Sequence, residues 1–423
     1  MKINQNIILT YKDLIFLFLF CWFSFFAPWV EWSWHQRFLG IFLILLVFIL
    51  IIRKNLLIFV FCREEVPFWF FYLFYLAGLV NPIDSQIANY YFWSFVFPIP
   101  ILYFSAKIFF EKENCLNLIR VICIIAFFVL IFGVIEFITK QSLISNISPL
   151  HLYYDAFVGR RMISTQAHPT CLGTYFLACF PFGLFLYLVE KNKILKLSAI
   201  IYMIGIFIGL IFSFSRGVLI GLFFVLLFFT NFMKKKRLLT YLLILLVVII
   251  IFSSFLAKIA IADFWRYSLS NLLTEWIYVK KFIRVSAVFN ILKDHPIFGL
   301  GFGHYRVMFN YYLPNHPFNM YDDKVADLMY VTLLAETGLI GFTGFFLYLF
   351  FLFRRVIKKI YSVFESNQKI LLICFFSSFV GIMFSFLTYD GLYWITPNYL
   401  FWSYAGVLSS LSTRAEGKIN KDG

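Results

Sequence analysis

Long apolar runs separated by short polar connections make up most of the sequence. Runs such as 199–214, 238–256 and 371–386 contain no charged residue, and each approaches the ~20 residues that a helix needs to cross a bilayer. Because backbone polar groups in lipid need partners within the chain, such runs must be helices. The pattern predicts an all-α, polytopic membrane protein with about 12 transmembrane helices. The predicted spans are residues 14–30, 38–52, 67–80, 89–105, 118–139, 171–189, 194–213, 217–233, 238–257, 328–352, 369–389 and 396–412.

The order of these runs divides the chain into five parts. Residues 1–117 and 118–257 form an N-terminal and a central group of transmembrane helices, and residues 328–412 form a C-terminal group. A long connection of residues 258–327 separates the last two groups, and residues 413–423 form a tail. No small-residue cleavage site follows the first span, so the pattern favours a retained anchor over a removed signal peptide.

The composition supports the membrane assignment and explains the net charge. Hydrophobic residues make up 62% of the chain and charged residues 13%, which is more apolar than a soluble core requires. The formal net charge is +15, but the basic residues cluster in every second connection, which indicates membrane topology and not nucleic-acid binding. This distribution predicts that both termini are cytoplasmic. The clusters lie at residues 2 and 12, 53–63, 107–112, 191–193, 234–237, 354–359 and 414–418.

The seven cysteines lie mostly inside predicted spans. Their number is odd, and no pair has the spacing of a redox or metal-binding motif. We interpret them as small apolar packing residues, and the sequence predicts no metal site.

Two predicted outer connections, residues 140–170 and 258–327, are much longer than the usual turn between helices. The second is rich in tryptophan, tyrosine and phenylalanine, which argues against a disordered linker. Its stretch TEWIYVKKFIRVSAVFNILKDHP has apolar residues close to helical spacing and stops at Pro296. We expect a re-entrant or interfacial helix here, lying against the outer leaflet.

The stretch that follows, DHPIFGLGFGHYR, has three alternating glycines at Gly299, Gly301 and Gly303. It superficially resembles a dinucleotide-binding loop, but it follows a predicted helix and no parallel-sheet unit surrounds it. The simpler interpretation is a turn whose glycines adopt positive φ between two packed segments. His304 directly follows the last of these glycines.

Three further stretches, in order, carry a family resemblance. They are RRMISTQAHPTCLGTYFLACFP from Arg160, FSFSRGVLIGL from Phe212, and DLMYVTLLAETGLIGFTGFF from Asp327, which contains Gly338 and Gly341. Together with HPIFGLGFGHY and the basic pair that ends the last span, they resemble the C-terminal domain of the O-antigen ligase and O-antigen polymerase superfamily. The resemblance covers roughly residues 120 to 410.

The resemblance implies a membrane glycosyltransferase at the outer face of the bacterial inner membrane. Such enzymes take a glycan linked to undecaprenyl pyrophosphate and pass it to an acceptor hydroxyl on another glycan, on lipid A core or on another molecule. It implies no cofactor and no metal, because arginines meet the negative charge that grows on the pyrophosphate. Membrane lipid is the other expected partner, and no nucleic acid is expected.

Four arginines are candidates for the pyrophosphate site. Arg216 opens a predicted span, where the helix dipole also favours anions and the guanidinium fork suits phosphate oxygens; snorkelling to the interface is the alternative. Arg284 resembles the family's second essential arginine, although a basic helix face with Lys280 and Lys281 would also explain it. Arg160 and Arg161 are weaker candidates.

The acceptor hydroxyl needs a base. Ligases of this family have a histidine about eleven positions before the glycine of the ETGxxG element, and counting back from Gly338 gives Asp327 here. Asp occurs there in polymerase-like relatives, which favours polymerase slightly over ligase, although Asp327 could instead cap a helix. His316 or His304 could replace the missing imidazole. Glu336 lies deeper in the span and could hold the loop arginines in place.

Another class of function stays open at this stage. A transporter or flippase of lipid-linked oligosaccharide would have broken helices and charges at mid-membrane, in two related halves. The candidate charges here are predicted to gather at one face, and no internal repeat is visible, which favours chemistry at the outer edge.

Overall fold

The computed structural model describes residues 11–26, 60, 62–77, 79, 83–110, 115–141, 161–166, 168–233, 275–314, 326–363 and 366–413. Within these ranges every regular element is helical, which confirms the all-α prediction. The α-helices are α1 (Tyr11–Cys21), α2 (Val66–Ala77), α3 (Ser85–Tyr91), α4 (Pro98–Phe109), α5 (Cys115–Thr139), α6 (Pro169–Val189), α7 (Lys193–Phe212), α8 (Arg216–Phe232), α9 (Glu275–Asp294), α10 (Tyr305–Tyr312), α11 (Met329–Ser362), α12 (Ser366–Ser385) and α13 (Ile395–Ser412). Short π-helical turns follow α1 and join α3 to α4, and 3-10 turns precede α2 and α13.

Six helices within the described ranges are long and apolar enough to cross a membrane, so the protein is a multi-pass membrane protein. They are Ser85–Phe109, which runs through α3 and α4, Cys115–Thr139, Pro169–Val189, Lys193–Phe212, Met329–Ser362 and Asn367–Ser385. The predicted span at 217–233 corresponds to the 17-residue helix α8, and the one at 67–80 to the 12-residue helix α2. The predicted spans 38–52 and 238–257 lie outside the described residues, so the total of about 12 stays a prediction.

The centre of the bundle is formed by α6, α12 and α13, whose side chains are mostly buried. Helix α7, by contrast, exposes Ile201, Ile204 and Ile208, as expected for a helix that faces lipid. Helices α8 and α12 approach closely where Gly221 meets Gly381: a Cβ on Gly221 would lie 2.5 Å from the Gly381 carbonyl oxygen. Small residues permit such close contact between membrane helices.

Several connections meet at one end of the bundle, which we call the site end and which the charge pattern predicts to be outer. Met329 N donates to Phe386 O at 3.1 Å and Met162 N donates to Phe212 O at 2.9 Å, while the rings of His168 and Trp394 stack at 5.0 Å. The starts of α6, α8, α11 and α13 therefore lie together. The turns before α2 and after α13 lie at the opposite end.

The described part of the long connection contains two helices. Helix α9 ends at Asp294, so the helix predicted before Pro296 is confirmed. Its residues Ala287, Val288 and Ile291 form a second hydrophobic cluster with Tyr305 and Phe309 of α10. The apolar residues of α9 thus divide into a buried face and an exposed one, and whether the helix is interfacial stays a prediction here.

Candidate active site

The alternating glycines at 299–303 pair with a break in α11. Gly338 interrupts that helix with a positive φ of 62°. It packs against Gly299, whose φ is also positive, at 68°. A Cβ on either glycine would lie within 2.6 Å of the other's backbone nitrogen, so only glycine permits this approach. The glycine-rich stretch is therefore a structural brace against α11.

The break leaves backbone groups of α11 without helical partners, and the glycine loop supplies them. Leu300 N and Gly301 N donate to the carbonyls of Ala335 and Glu336, each at 3.0 Å. In the other direction, Leu339 N donates to Pro296 O at 2.9 Å, and Ile340 N donates to the next carbonyl at 3.2 Å. These four bonds fix the loop on the interrupted helix and satisfy polar groups that lipid could not.

Glu336 fastens the same loop from inside the bundle. Its carboxylate is buried and accepts hydrogen bonds from Gly303 N at 2.8 Å and Tyr305 N at 3.0 Å. The Tyr393 hydroxyl donates to it from the connection between α12 and α13. All three bonds go to groups other than the arginines that the sequence suggested as partners. Glu336 thus joins the loop, α11 and the start of α13.

Asp327 lies just before α11 and is paired with Arg284 of α9. The guanidinium Nη1 donates to Asp327 Oδ2 at 2.6 Å. Arg284 is buried, and its carbonyl accepts from the Tyr305 hydroxyl at 2.8 Å. The Asp327 side chain is 45% exposed, so the arginine is fixed while the carboxylate stays open to solvent. The residue at the N-cap of α11 is Leu328, one position after Asp327.

Asp390, in the connection between α12 and α13, supports the backbone at Asp327. The backbone amides of Asp327 and Leu328 donate to its carboxylate, and the Thr332 hydroxyl donates to its Oδ1 at 2.9 Å. Asp327 adopts φ 51°, which an aspartate tolerates only with local support. Burial, together with the negative charge of Asp327, raises the pKa of Asp390 to about 7.

Arg216 is the first residue of α8 and its side chain is exposed. The next residue, Gly217, packs so tightly that a Cβ would collide with Thr388 and with the Ser385 carbonyl. Thr388 is two residues before Asp390, so the N-terminus of α8 lies against the same connection that supports Asp327. The helix terminus and the guanidinium together offer positive charge at this end.

Arg161 braces the turn that leads into Arg216. Its Nε and Nη2 donate to Ser213 O at 2.9 and 2.7 Å, and Nη2 also donates to Phe214 O at 3.2 Å. Phe214 has φ 47°, so these bonds support a strained turn. Burial, together with the positive charge of Arg216, lowers the pKa of Arg161 to about 10. Two arginines are thus brought close enough to repel each other.

His168 lies beside Arg161 at the start of α6. Its Nδ1 accepts from Thr170 N at 3.2 Å, and its ring stacks on Trp394. Burial lowers the pKa of His168 to about 3, and the nearby charge of Arg161 contributes to this. A neutral histidine here caps the helix and packs on tryptophan.

His304 is buried and joins the loop to the start of α3. Asp84 N donates to His304 Nε2 at 3.1 Å, and Nδ1 lies 3.1 Å from Phe302 O. Both ring nitrogens therefore have backbone partners in a packed environment. The other candidates Arg160 and His316 lie outside the described residues. Within the described ranges, no three His, Cys, Asp or Glu side chains are grouped so that they could hold a metal ion.

The structure thus forms two charged pairs at the site end, Arg284 with Asp327 and Arg161 beside Arg216. The connection 386–394 contacts both, through Asp390 and Thr388. Sequence reasoning did not single out Asp390, Tyr393 or His168. The first of these could have been found, because an acid in a predicted outer connection near the family motifs stands out in a chain with few charges.

Comparison with known proteins supports the resemblance read from the motifs. Residues 200–346 match the family model of the O-antigen ligase, a range that contains Arg216, Arg284, Asp327 and Glu336. None of the curated proteins compared with the chain matches it. The predicted resemblance is confirmed: residues 200–346 carry an O-antigen ligase domain, which supports the O-antigen ligase and polymerase superfamily.

Proposed function

We propose that the protein transfers a glycan from undecaprenyl pyrophosphate to an acceptor hydroxyl, at the outer face of the bacterial inner membrane. The observation that carries this proposal is the pair of Arg284 and Asp327, with a half-exposed carboxylate on a buried guanidinium. It lies at the end of the bundle where Arg216 opens α8. A base and a cationic anion site at one end are what such a transfer requires.

In this reaction the acceptor hydroxyl gives its proton to the Asp327 carboxylate, and its oxygen attacks the anomeric carbon. The bond from that carbon to the pyrophosphate oxygen breaks, and the electron pair stays on the pyrophosphate. Arg216 and the N-terminus of α8 stabilise the charge that develops there. Arg284 pairs with Asp327 and fixes the direction of its carboxylate.

Arg161 acts on this site through the backbone. Because its guanidinium binds the Ser213 and Phe214 carbonyls, it presents Arg216 at the helix start. The mutual repulsion of the two arginines is relieved when a pyrophosphate binds between or beside them. This favours the charged leaving group over a neutral ligand.

Polymerase is favoured over ligase, since Asp327 stands where ligases of the family have histidine. Within the described ranges, the candidate His304 has a packing role, and so does His168, which lies at the same end of the bundle. His304 has backbone partners on both nitrogens, and His168 is held neutral in a helix cap. The carboxylate is therefore the better placed base.

A transporter or flippase of the same lipid-linked glycan is the second candidate, because α11 is broken at Gly338. Broken helices in transporters expose backbone groups toward a substrate or ion. Here Pro296 to Gly301 bind the backbone groups on both sides of the break. The break therefore serves the attachment of the loop, which favours the enzyme.

The test is the glycan profile of a deletion strain that carries wild type, Arg216→Ala or Asp327→Asn at matched membrane levels. Asp294→Asn, an exposed acid of the same loop, is the control. A polymerase predicts that single repeat units accumulate on the lipid carrier and long chains vanish. Long chains that stay on the carrier would identify a ligase. Wild-type profiles for both site variants would reject chemistry at this end.

A further inference from the structure

Helices α9 and α10 and the glycine loop between them have an apolar edge that is not buried in their packing. Helix α9 buries Ala287, Val288 and Ile291 against α10 and α11. On its other side Phe282 and Phe289 are 76% and 65% exposed. Two phenylalanines seven positions apart lie on one face of a helix. In water such a face would be costly to leave exposed.

This edge continues beyond the end of α9. His295 N donates to Ile291 O and Gly299 N donates to His295 O, so the i to i+4 bonding pattern persists through the turns. Ile297 and Phe298 are half-exposed. The apolar edge therefore extends from the helix into the start of the glycine loop.

At its far end the edge meets the surface of a membrane-spanning helix. The carbonyls of Pro296 and Ile297 accept from Leu339 N and Ile340 N. Leu339 is exposed and opens the long second half of α11, whose outward side chains include Phe346 and Phe350. This stripe lies on a helix long and apolar enough to cross the bilayer.

We propose that Phe282, Phe289, Ile297 and Phe298 form a membrane-contact edge that lies among the acyl chains at the surface of the outer leaflet. Continuity with the stripe on α11 identifies the occupant as lipid. Lys293, exposed between Phe289 and Ile297, is placed to reach the headgroups, as basic residues do on interfacial helices. This surface is independent of the proposed reaction.

The edge fixes the position of the loop relative to the membrane surface. Arg284 lies on the opposite, buried face of α9 and holds Asp327. With Phe282 and Phe289 in lipid, the Arg284 and Asp327 pair lies directly above the headgroups. That is the level at which a lipid carrier presents its polar end.

The test uses the full-length protein in nanodiscs of phosphatidylethanolamine and phosphatidylglycerol. A spin label is placed at Phe289→Cys or Phe298→Cys, in a background where the partly accessible Cys21 and Cys62 are serine. Collision with oxygen, which concentrates in lipid, is compared with collision with a water-soluble nickel complex. Phe350→Cys is the lipid reference and Lys191→Cys, in an exposed connection, is the water reference.

Membrane contact predicts an oxygen-to-nickel ratio at both positions close to that at Phe350 and several times that at Lys191. A ratio like that at Lys191 would overturn the proposal in favour of a water-exposed face. Protection from both reagents would overturn it too, since the edge would then be covered by protein. If either labelled protein is not monodisperse, Phe282→Cys takes its place.

Discussion

Two clusters of charged residues lie at opposite ends of the bundle, and they are built differently. At the end away from the site, Glu65 is fully buried and its Oε1 accepts from Lys107 Nζ at 3.0 Å and Ser409 Oγ at 2.7 Å. Tyr103 donates to its other oxygen, and Arg355 lies 3.3 Å away. These contacts join the turn before α2 to helices α4, α11 and α13, so the cluster is a structural link between them.

The site end uses the same residue types with a different balance. The carboxylate of Asp327 is half-exposed and Arg216 is exposed, while Arg161 and Arg216 stand near each other with like charge. Burial favours a neutral Glu65, but Lys107 and Arg355 outweigh it and hold the pKa of Glu65 below its usual value. Charged groups that are buried and paired thus mark a structural cluster, whereas charged groups that are exposed to solvent mark a reactive one.

The largest expected effect is on catalysis at the site end. Asp327→Asn keeps the shape of the side chain but removes the base, and general base catalysis contributes ~10²–10⁴-fold. We expect kcat for glycan transfer per folded molecule to fall by about that factor, and thermal stability to fall as well, because the buried Arg284 loses its anionic partner. Transfer is measured with purified protein and a lipid-linked glycan. The control Asp294→Asn should match wild type, and full activity of Asp327→Asn would remove this residue as base.

At the opposite end the same kind of change should act on stability alone. Glu65→Gln leaves the Lys107 ammonium buried without its anion, and breaking a buried pair this way costs ~3–5 kcal/mol. Thermal unfolding in detergent should show the loss, with activity per folded molecule near that of wild type. Glu64→Gln is the matched control, because its exposed contact with Arg355 is worth at most ~1 kcal/mol. Equal effects of the two changes would contradict the contrast between buried and exposed partners.

The sequence predicted the helical class and the loop helix before Pro296, and it singled out Arg216, Arg284 and Asp327, whose catalytic roles stay predictions. It did so because apolar runs and family motifs are local in sequence. The pairing of Gly299 with Gly338 and the support of Asp327 by Asp390 join segments far apart in the chain. No periodicity records such contacts, and for this reason the glycines could be explained only as a turn and Asp390 was missed.

Arg161 tests whether the site end depends on backbone support. Arg161→Lys keeps the charge, but an ammonium cannot reproduce the forked bonds to Ser213 and Phe214. We expect roughly a tenfold loss in kcat/KM, equal to ~1.4 kcal/mol, because Arg216 is then less firmly placed. The same change at the opposite end, Arg120→Lys, alters a pair with Glu190 and should leave kcat/KM unchanged.

A direct role for Arg161 in binding pyrophosphate would give a different result. In that case Arg161→Lys, which retains the positive charge, should keep most of the activity, and raised salt should weaken the variant and wild type alike. A positioning role predicts that the variant loses kcat/KM at every salt concentration. The two roles are thus separated by one titration on one pair of proteins.

The smallest expected effect concerns the pH dependence of stability. The pKa of Asp390 is about 7 in the folded protein, because of burial and the charge of Asp327, and about 3.9 in an unfolded chain. Between these values the folded state binds one more proton at this site than the unfolded chain does. The free energy of unfolding therefore decreases as pH rises from about 4 to about 7, and levels off above.

Asp390→Asn cannot ionise, so this part of the slope should disappear. Between pH 5 and pH 8 the melting temperature of wild type should fall more than that of the variant, by on the order of 3 °C. Groups that face Asp390, namely Asp327, Glu336 and Tyr305, are present in both proteins, so their titration largely cancels in the comparison. Asp294→Asn, which removes an exposed acid, should keep the wild-type slope. Parallel slopes for wild type and Asp390→Asn would mean that Asp390 is already ionised at pH 5. The buried acid at the site end would then be stabilised as an anion, as Glu65 is at the opposite end.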